Sequence, residues 1–211
     1  MNGANADTVT LAPARVDALA PEQAGRLLCE TDPHVFGCLH GHDEALAARH
    51  LGHQWTLAAG LFSHVHATAA LHDGVLAGLE LGFDRPTQAA HLEPFVTAAG
   101  AFLDEGQFAR FTGFFEYGSH LLPPVPDDAY YLQNLVTLPG ARGRGIGEKL
   151  LRACFERARA AGLARVQLDL YDGNPAERLY ARAGMRTIVE TRVPPLETDG
   201  VGLHRRMELK L

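Results

Sequence analysis

The stretch Leu135–Leu150, LVTLPGARGRGIGEKL, decides how the rest of the chain is read. An apolar run stops at Pro139. Gly140, Gly143, Gly145 and Gly147 then fall within eight residues, interleaved with Arg142 and Arg144, and a helical pattern begins. A helix N-terminus exposes unpaired backbone N–H groups and a partial positive charge. Glycines let a phosphate come close to that backbone because no side chain intervenes. A tight strand-to-helix turn needs one glycine; four point to a phosphate cradle. The spacing fails the nucleoside-triphosphate loop, because Ile146-Gly147 stand where Lys and Ser/Thr belong. It also fails the dinucleotide fingerprint read from Gly143, because Glu148 stands at the third glycine. Asp169 alone, at a ribose-carboxylate distance, speaks for that reading.

Outward from the loop, the elements order themselves. Tyr130–Leu138 (YYLQNLVTL) is a strand rich in aromatic and branched residues. After the loop, Leu150, Leu151, Cys154, Phe155 and Ala158 share one helical face, and Gly162 ends that helix. ARVQLDLY is the next strand, so strand–helix–strand implies a parallel pair. NPAERLYARAGM is a short helix between Pro175 and Gly184. RTIVETRV and LHRRMELKL form a closing antiparallel pair. Toward the N-terminus, Val9–Leu11 is a short strand, and DALAPEQAGRLLCETDP is a helix stopping before Pro33. Asp43 caps a helix running to about Ala59. HVHATAALHDGVLAGLELGF is a hairpin turning at Asp73-Gly74. Residues 86–119 hold six phenylalanines and read as one or two helices. The sum is an α/β chain with a mixed sheet, one domain over 1–211 with a helical Phe-rich insertion at about 86–120.

The pattern Arg142-Gly143-Arg144-Gly145-Ile146-Gly147 resembles the acyl-coenzyme A loop of the GNAT superfamily of acetyl-CoA-dependent N-acetyltransferases. A second signature lies about 30 residues downstream, in Asn174, Ala176, Leu179, Tyr180, Gly184 and Met185. The resemblance is firm over 130–211, loose over 7–85 and absent over 86–129. It implies the acyl-CoA N-acyltransferase fold: a central, mostly antiparallel sheet with a splayed parallel strand pair and helices on both faces. It further implies transfer of an acetyl group from acetyl-CoA to a primary amine of a small molecule or peptide, by direct attack in a ternary complex. The backbone of Arg142, Gly143, Arg144, Gly145, Ile146 and Gly147 would hold the pyrophosphate. Val136, Thr137 and Leu138 would pair with the pantetheine arm, and Asn174 would hydrogen-bond it. Tyr180 matches the general-acid tyrosine. Relatives often carry a glutamate base on the strand before the loop; Gln133 and Asn134 stand there, and neither is a base. Glu116, Glu80, His120 and Asp128 are the remaining candidates, with Glu116, Gln133 and Asn134 taken as substrate-side residues. The alternative is a catalytically silent acyl-CoA-binding or sensing module, which keeps the loop and lacks a base.

Composition sets the remaining bounds. The net charge of −6 divides unevenly: residues 1–138 carry 5 basic and 16 acidic side chains, residues 139–211 carry 14 and 9. A basic C-terminal third suits an anionic ligand, while overall acidity argues against nucleic acid. No apolar run reaches membrane-span length, and the N-terminus shows no signal-peptide pattern, so a cytoplasmic protein without membrane partners is expected. Three cysteines without CxxC spacing read as free thiols. His40-x-His42 and His64-x-His66 have ligand-like spacing on a strand, but no Cys or carboxylate completes a site, so no metal is expected. The Phe-rich segment either walls an acceptor pocket, in which case an amine with an apolar or aromatic body fits, or packs on the sheet or in a homodimer contact.

Overall fold

Seven strands form one sheet in the order β1-β2-β3-β4-β5-β7-β6 in the computed structural model, which describes residues 8–211. Residues 1–7, most of the stretch read for a signal peptide, lie outside the described residues. The strands are β1 (Val9–Pro13), β2 (Ala67–His72), β3 (Val75–Asp84), β4 (Ala129–Thr137), β5 (Arg165–Tyr171), β6 (Arg186–Thr191) and β7 (His204–Lys210). All neighbours are antiparallel except β4 and β5, which a helical crossover makes parallel. The β2–β3 hairpin turns through Asp73 (φ 50°) and Gly74 (φ 81°), the pair of left-handed residues that matches strand twist.

Helices cover both faces. On one lie α1 (Pro21–Cys29), α2 (Pro33–Leu39), α3 (Glu44–Thr56), α4 (Arg85–Phe102) and α5 (Glu105–Leu121), whose Leu28, Phe36, Trp55, Phe95 and Phe111 pack with Leu79, Leu81 and Val136 of the sheet. On the other lie α6 (Ile146–Ala160) and α7 (Glu177–Arg182). There Leu151, Cys154, Phe155 and Tyr180 meet Leu132, Val166, Leu168 and Met207. A short α8 (Pro194–Glu197) fills the β6–β7 connection. Carboxylates begin several helices: Asp32, Asp43, Asp84 and Asp104 each accept from the backbone N–H three residues on. No described helix is long and apolar enough to cross a membrane.

Three expectations need correction. The first long helix ends at Cys29, and Pro33 begins α2 rather than closing α1; proline fits the first turn, whose N–H has no partner anyway. His64–His66 form a 3₁₀ turn, so these histidines are not alternate strand positions. His40 and His42 lie at the end of α2, where His42 takes φ 63°.

Two irregularities in β4 open the sheet and re-aim its side chains. The parallel ladder joins only Ala129–Tyr131 to Arg165–Gln167, although both strands continue for several residues. Beyond Tyr131 the strands part. Against β3, Leu81 pairs with Asn134 and Gly82 with Leu132, so Gln133 is an extra, bulged residue. One extra residue reverses the side-chain parity. Before it, Ala129 and Tyr131 face the α1–α5 side and Leu132 faces α6; after it, Val136 faces the α1–α5 side.

Candidate functional site

The parted strands enclose a cavity of about 750 Å³, lined on one side by Leu132, Gln133, Leu135, Val136 and Thr137 and on the other by Leu168–Tyr171. Its outer end is the glycine loop. Gly145, in a left-handed conformation (φ 74°), is the N-cap of α6, and no side chain caps that helix. The amides of its first turn have no intrahelical acceptor. A Cβ on Gly143 or Gly145 would meet nothing within 4 Å, so the loop's outer backbone is open. A Cβ on Gly147 would press on Leu179 Cδ2 (3.2 Å) and Thr137 Oγ1 (3.3 Å). This is a cradle built from backbone donors at a helix start, suited to an anion. Arg142 closes one side, its Nε donating to the Thr137 carbonyl (3.2 Å) and its Nη2 to Glu30 Oε2 (3.1 Å).

At the inner end, α7 places Tyr180 against the gap. Its ring is 7% exposed, its hydroxyl bonds to no described residue, and the residue lines the cavity. Burial, with the nearby Cys154 thiol adding to it, pushes the phenol well above its ordinary range. It therefore stays protonated and is available as a donor. Asn174 also lines the gap; its Oδ1 accepts from Ala176 N (2.9 Å), and its Nδ2 donates to the Thr31 carbonyl (3.4 Å).

Of the residues singled out in the sequence, Gln133, Val136, Thr137, Arg142, Gly143, Gly145, Ile146, Gly147, Asn174 and Tyr180 line this cavity. Leu138 and Arg144 do not: Leu138 N donates to Ala77 O (2.9 Å), and Arg144 is exposed. The base candidates do not reach it either. Glu116 and His120 are exposed on α5. Glu80 is buried against Arg157 and Tyr130, and Asp128 is paired with Arg165 (2.8 Å). Asp169 is no free ribose partner, because Arg206 holds both its oxygens (3.0 and 2.5 Å) and the Tyr131 hydroxyl donates to Oδ2 (3.0 Å).

A second cavity of about 460 Å³ adjoins the first. Thr31, Gln133 and Asp169 line both. Its walls are rings of α2, α4, α5 and the loop before β2: Phe36, Phe62, Phe95, Phe111, Phe114 and Phe115. Its other side is polar, with Asn134, Asp32, Asp169 and Arg206. Sequence reading singled out Asn134 but missed Asp32, Thr31 and Arg206. The Asp169–Arg206 pair joins neighbouring strands 37 residues apart and leaves no local pattern.

Comparison with solved structures gives similar folds across the whole chain. An N-acetyltransferase from Staphylococcus aureus Mu50 matches with a TM-score of 0.67 at 16% identity, covering 95% of this chain and 100% of that one. A structure described as an acetyltransferase matches at 0.63 and 20% identity, covering 95% and 98%. A GCN5-related N-acetyltransferase from Kribbella flavida matches at 0.55 and 15%, covering 96% and 98%. Identities this low speak to the fold alone. The family model described as the acetyltransferase (GNAT) family matches residues 79–185, half of the chain, running from within β3 to just past α7 and so taking in both walls of the gap. With the glycine loop, the parted parallel strands and Tyr180 in place, the chain belongs to the GNAT family of acetyltransferases.

Proposed function

We propose that this protein transfers the acetyl group of acetyl-CoA to a primary amine while both are bound. The single observation that carries the reading is the gap itself. It leads from an uncapped, glycine-lined helix start to a buried tyrosine whose hydroxyl has no described partner. The open backbone of Gly143–Gly147 fits the diphosphate, and the parted edge of Val136–Thr137 fits an extended arm with amide groups. When bound, acetyl-CoA supplies a thioester whose C–S bond is exchanged for a C–N bond, the amine giving up one proton and the sulfur gaining one. Tyr180 is the donor on the sulfur's side. Because burial holds its phenol above the ordinary range, hydrogen bonding to a developing thiolate is favoured over full ionisation of the tyrosine. No carboxylate at Gln133 or Asn134 takes the amine's proton, since both side chains are neutral amides.

Titration calorimetry with acetyl-CoA, followed by turnover of Tyr180→Phe, tests this. The variant should keep acetyl-CoA affinity within about threefold while kcat falls at least about 100-fold, the usual lower range for losing a proton donor. A flat titration of the native protein overturns the proposal. The neutral amides at Gln133 and Asn134, where a base would stand, favour one rival, an acyl-CoA sensor. Binding without turnover of any amine, in both native protein and variant, would decide for it.

A further inference from the structure

Resting on that reading, the geometry points to the class of acceptor: a primary amine on a bulky apolar or aromatic body. The body would lie among the phenylalanines of the second cavity, and one N–H of the amine would be received by Asn134 Oδ1. Asn134 is 4% exposed and lines that cavity. Its amide orientation is dictated by a chain of donors. The Thr31 hydroxyl donates its hydrogen to the Leu28 carbonyl (2.7 Å), so Thr31 Oγ1 accepts from Asn134 Nδ2 (2.7 Å). The other end of the amide, Oδ1, is left buried with no hydrogen-bond partner in the structure. A buried acceptor without a donor is costly, and natural folds rarely leave one without a role. Asn134 itself lines only the second cavity, but it follows the bulged Gln133 and bonds to Thr31, and both of those residues line the two cavities, so it stands beside their junction.

The charge arrangement selects against small polycations. Each carboxylate at the polar side already has a cation. Asp169 is held by Arg206, both about 95% buried. Asp32 accepts from His204 Nε2 (2.8 Å) and Val35 N (3.1 Å). A second ammonium group would be desolvated there with no free anion to meet it. The walls select for rings. Phe111 meets both Phe95 and Phe115 edge-to-face at 5.4 Å, and Phe115 (40% exposed) and Leu92 (44%) leave apolar surface at the cavity's lining. A volume near 460 Å³ lies within the roughly 300–1,000 Å³ of small-molecule clefts. Because Asn134 is a neutral acceptor, the amine reacts in its uncharged form. The alkaline rise of kcat/KM then follows the amine's own pKa rather than that of an enzyme carboxylate.

The test compares phenethylamine, hexylamine, spermidine and a lysine-containing peptide, after calorimetry has established acetyl-CoA binding. Phenethylamine should exceed spermidine and the peptide at least tenfold in kcat/KM, and should alone raise the melting temperature of the acetyl-CoA-free protein. Asn134→Ala should raise the amine's KM about tenfold and leave that for acetyl-CoA unchanged. Phe115→Ala, at a site exposed enough to leave folding intact, should raise KM for phenethylamine more than for hexylamine. Preference for spermidine or the peptide, or an amine KM within twofold of native in Asn134→Ala, overturns this inference and leaves the transferase reading standing. Absence of acetyl-CoA binding overturns both.

Discussion

His50 makes the protein acid-sensitive, and the size of the effect comes from its hydrogen bonds. His50 is fully buried on α3. Its neighbour His40 donates from Nδ1 to the Phe36 carbonyl (2.8 Å), which leaves His40 Nε2 as an acceptor. His50 Nδ1 must then donate to it (2.9 Å), and His50 Nε2 accepts from Gln54 Nε2 (3.2 Å). The relay runs one way and needs both rings neutral. A proton on His50 Nε2 would oppose the Gln54 donor inside a wall of Phe95, Phe102 and Phe111. Burial, with His40 and His53 nearby, depresses the His50 pKa to about 3. The folded value lies below the unfolded one, so the stabilisation is complete above pH ~6.5 and is lost as pH falls toward 3. Each pH unit below 6.5 removes up to about 1.4 kcal/mol, so about 2 kcal/mol is gone at pH 5. At about 2–4 °C per kcal/mol for a chain of this size, the melting temperature falls by about 4–8 °C from this residue alone. The assay is thermal unfolding from pH 7.5 to 4.5 for the native protein and His50→Gln, which does not titrate. The difference between the two curves should narrow by about 2 kcal/mol between pH 7.5 and 5. Curves parallel to within about 0.5 kcal/mol (roughly a third of one pH unit's effect) would refute the buried-relay argument.

Other perturbations carry equally definite signs. Arg206→Met strands the Asp169 carboxylate with only the Tyr131 hydroxyl, and should cost about 3–5 kcal/mol in denaturant unfolding; the double variant with Asp169→Asn should recover most of it. Gly145→Ala forces a side chain into φ 74° and should cost about 1–2 kcal/mol while weakening acetyl-CoA binding, read by unfolding and calorimetry. His204 is opposed by desolvation but held charged by its bond to Asp32, and its pKa is raised. Its contribution is therefore complete below pH ~6.5 and lost as pH rises through the folded value, so the stability deficit of His204→Gln should shrink from pH 6 to pH 9.

What was legible in the sequence was what local geometry dictates. Asp73-Gly74 announced a hairpin because few other pairs take two positive φ angles, and both do. The glycine loop announced an anion cradle, although the four glycines serve differently. Gly143 and Gly145 supply positive φ, Gly147 supplies close approach to Leu179 and Thr137, and Gly140 sits in a 3₁₀ turn with open space around its Cβ position. Tyr180 and Asn174 were found because their signature lies on one short helix and the turn before it. The second cavity was not legible. Asn134 was picked for its place on the strand, but its exposure to the phenylalanine side depends on the bulge at Gln133, and no residue type marks a bulge there. Glu116 stands as a candidate only because it is an ionisable residue outside the loop strand; helical periodicity turns it outward while Phe114, two residues earlier, turns in. Pro33 misled because a proline both stops one helix and starts another.

The site exists because a sheet was interrupted without being destabilised. A strand whose ladder ends early exposes donors and acceptors that normally cost free energy when unpaired. Here each parted strand keeps its other neighbour throughout: β4 pairs with β3 as far as Thr137, and β5 pairs with β7 as far as Tyr171. Only the facing edges are left open, at a net cost of about 1 kcal/mol per missing bond. The two halves remain joined because Leu151, Cys154 and Phe155 of α6 pack on β5, while Ile146 and Leu150 of the same helix pack on β2 and β3. One helix thus spans the break and presents its uncapped first turn at the outer end of it. The proposed phosphate cradle and the open strand edge are therefore one construction. A change that closed the ladder beyond Tyr131 would remove the arm's place while leaving the cradle intact. On the reading proposed above, phosphate-end ligands such as a free nucleoside diphosphate should still bind such a variant, whereas acetyl-CoA should lose the affinity and orientation that the strand edges would supply.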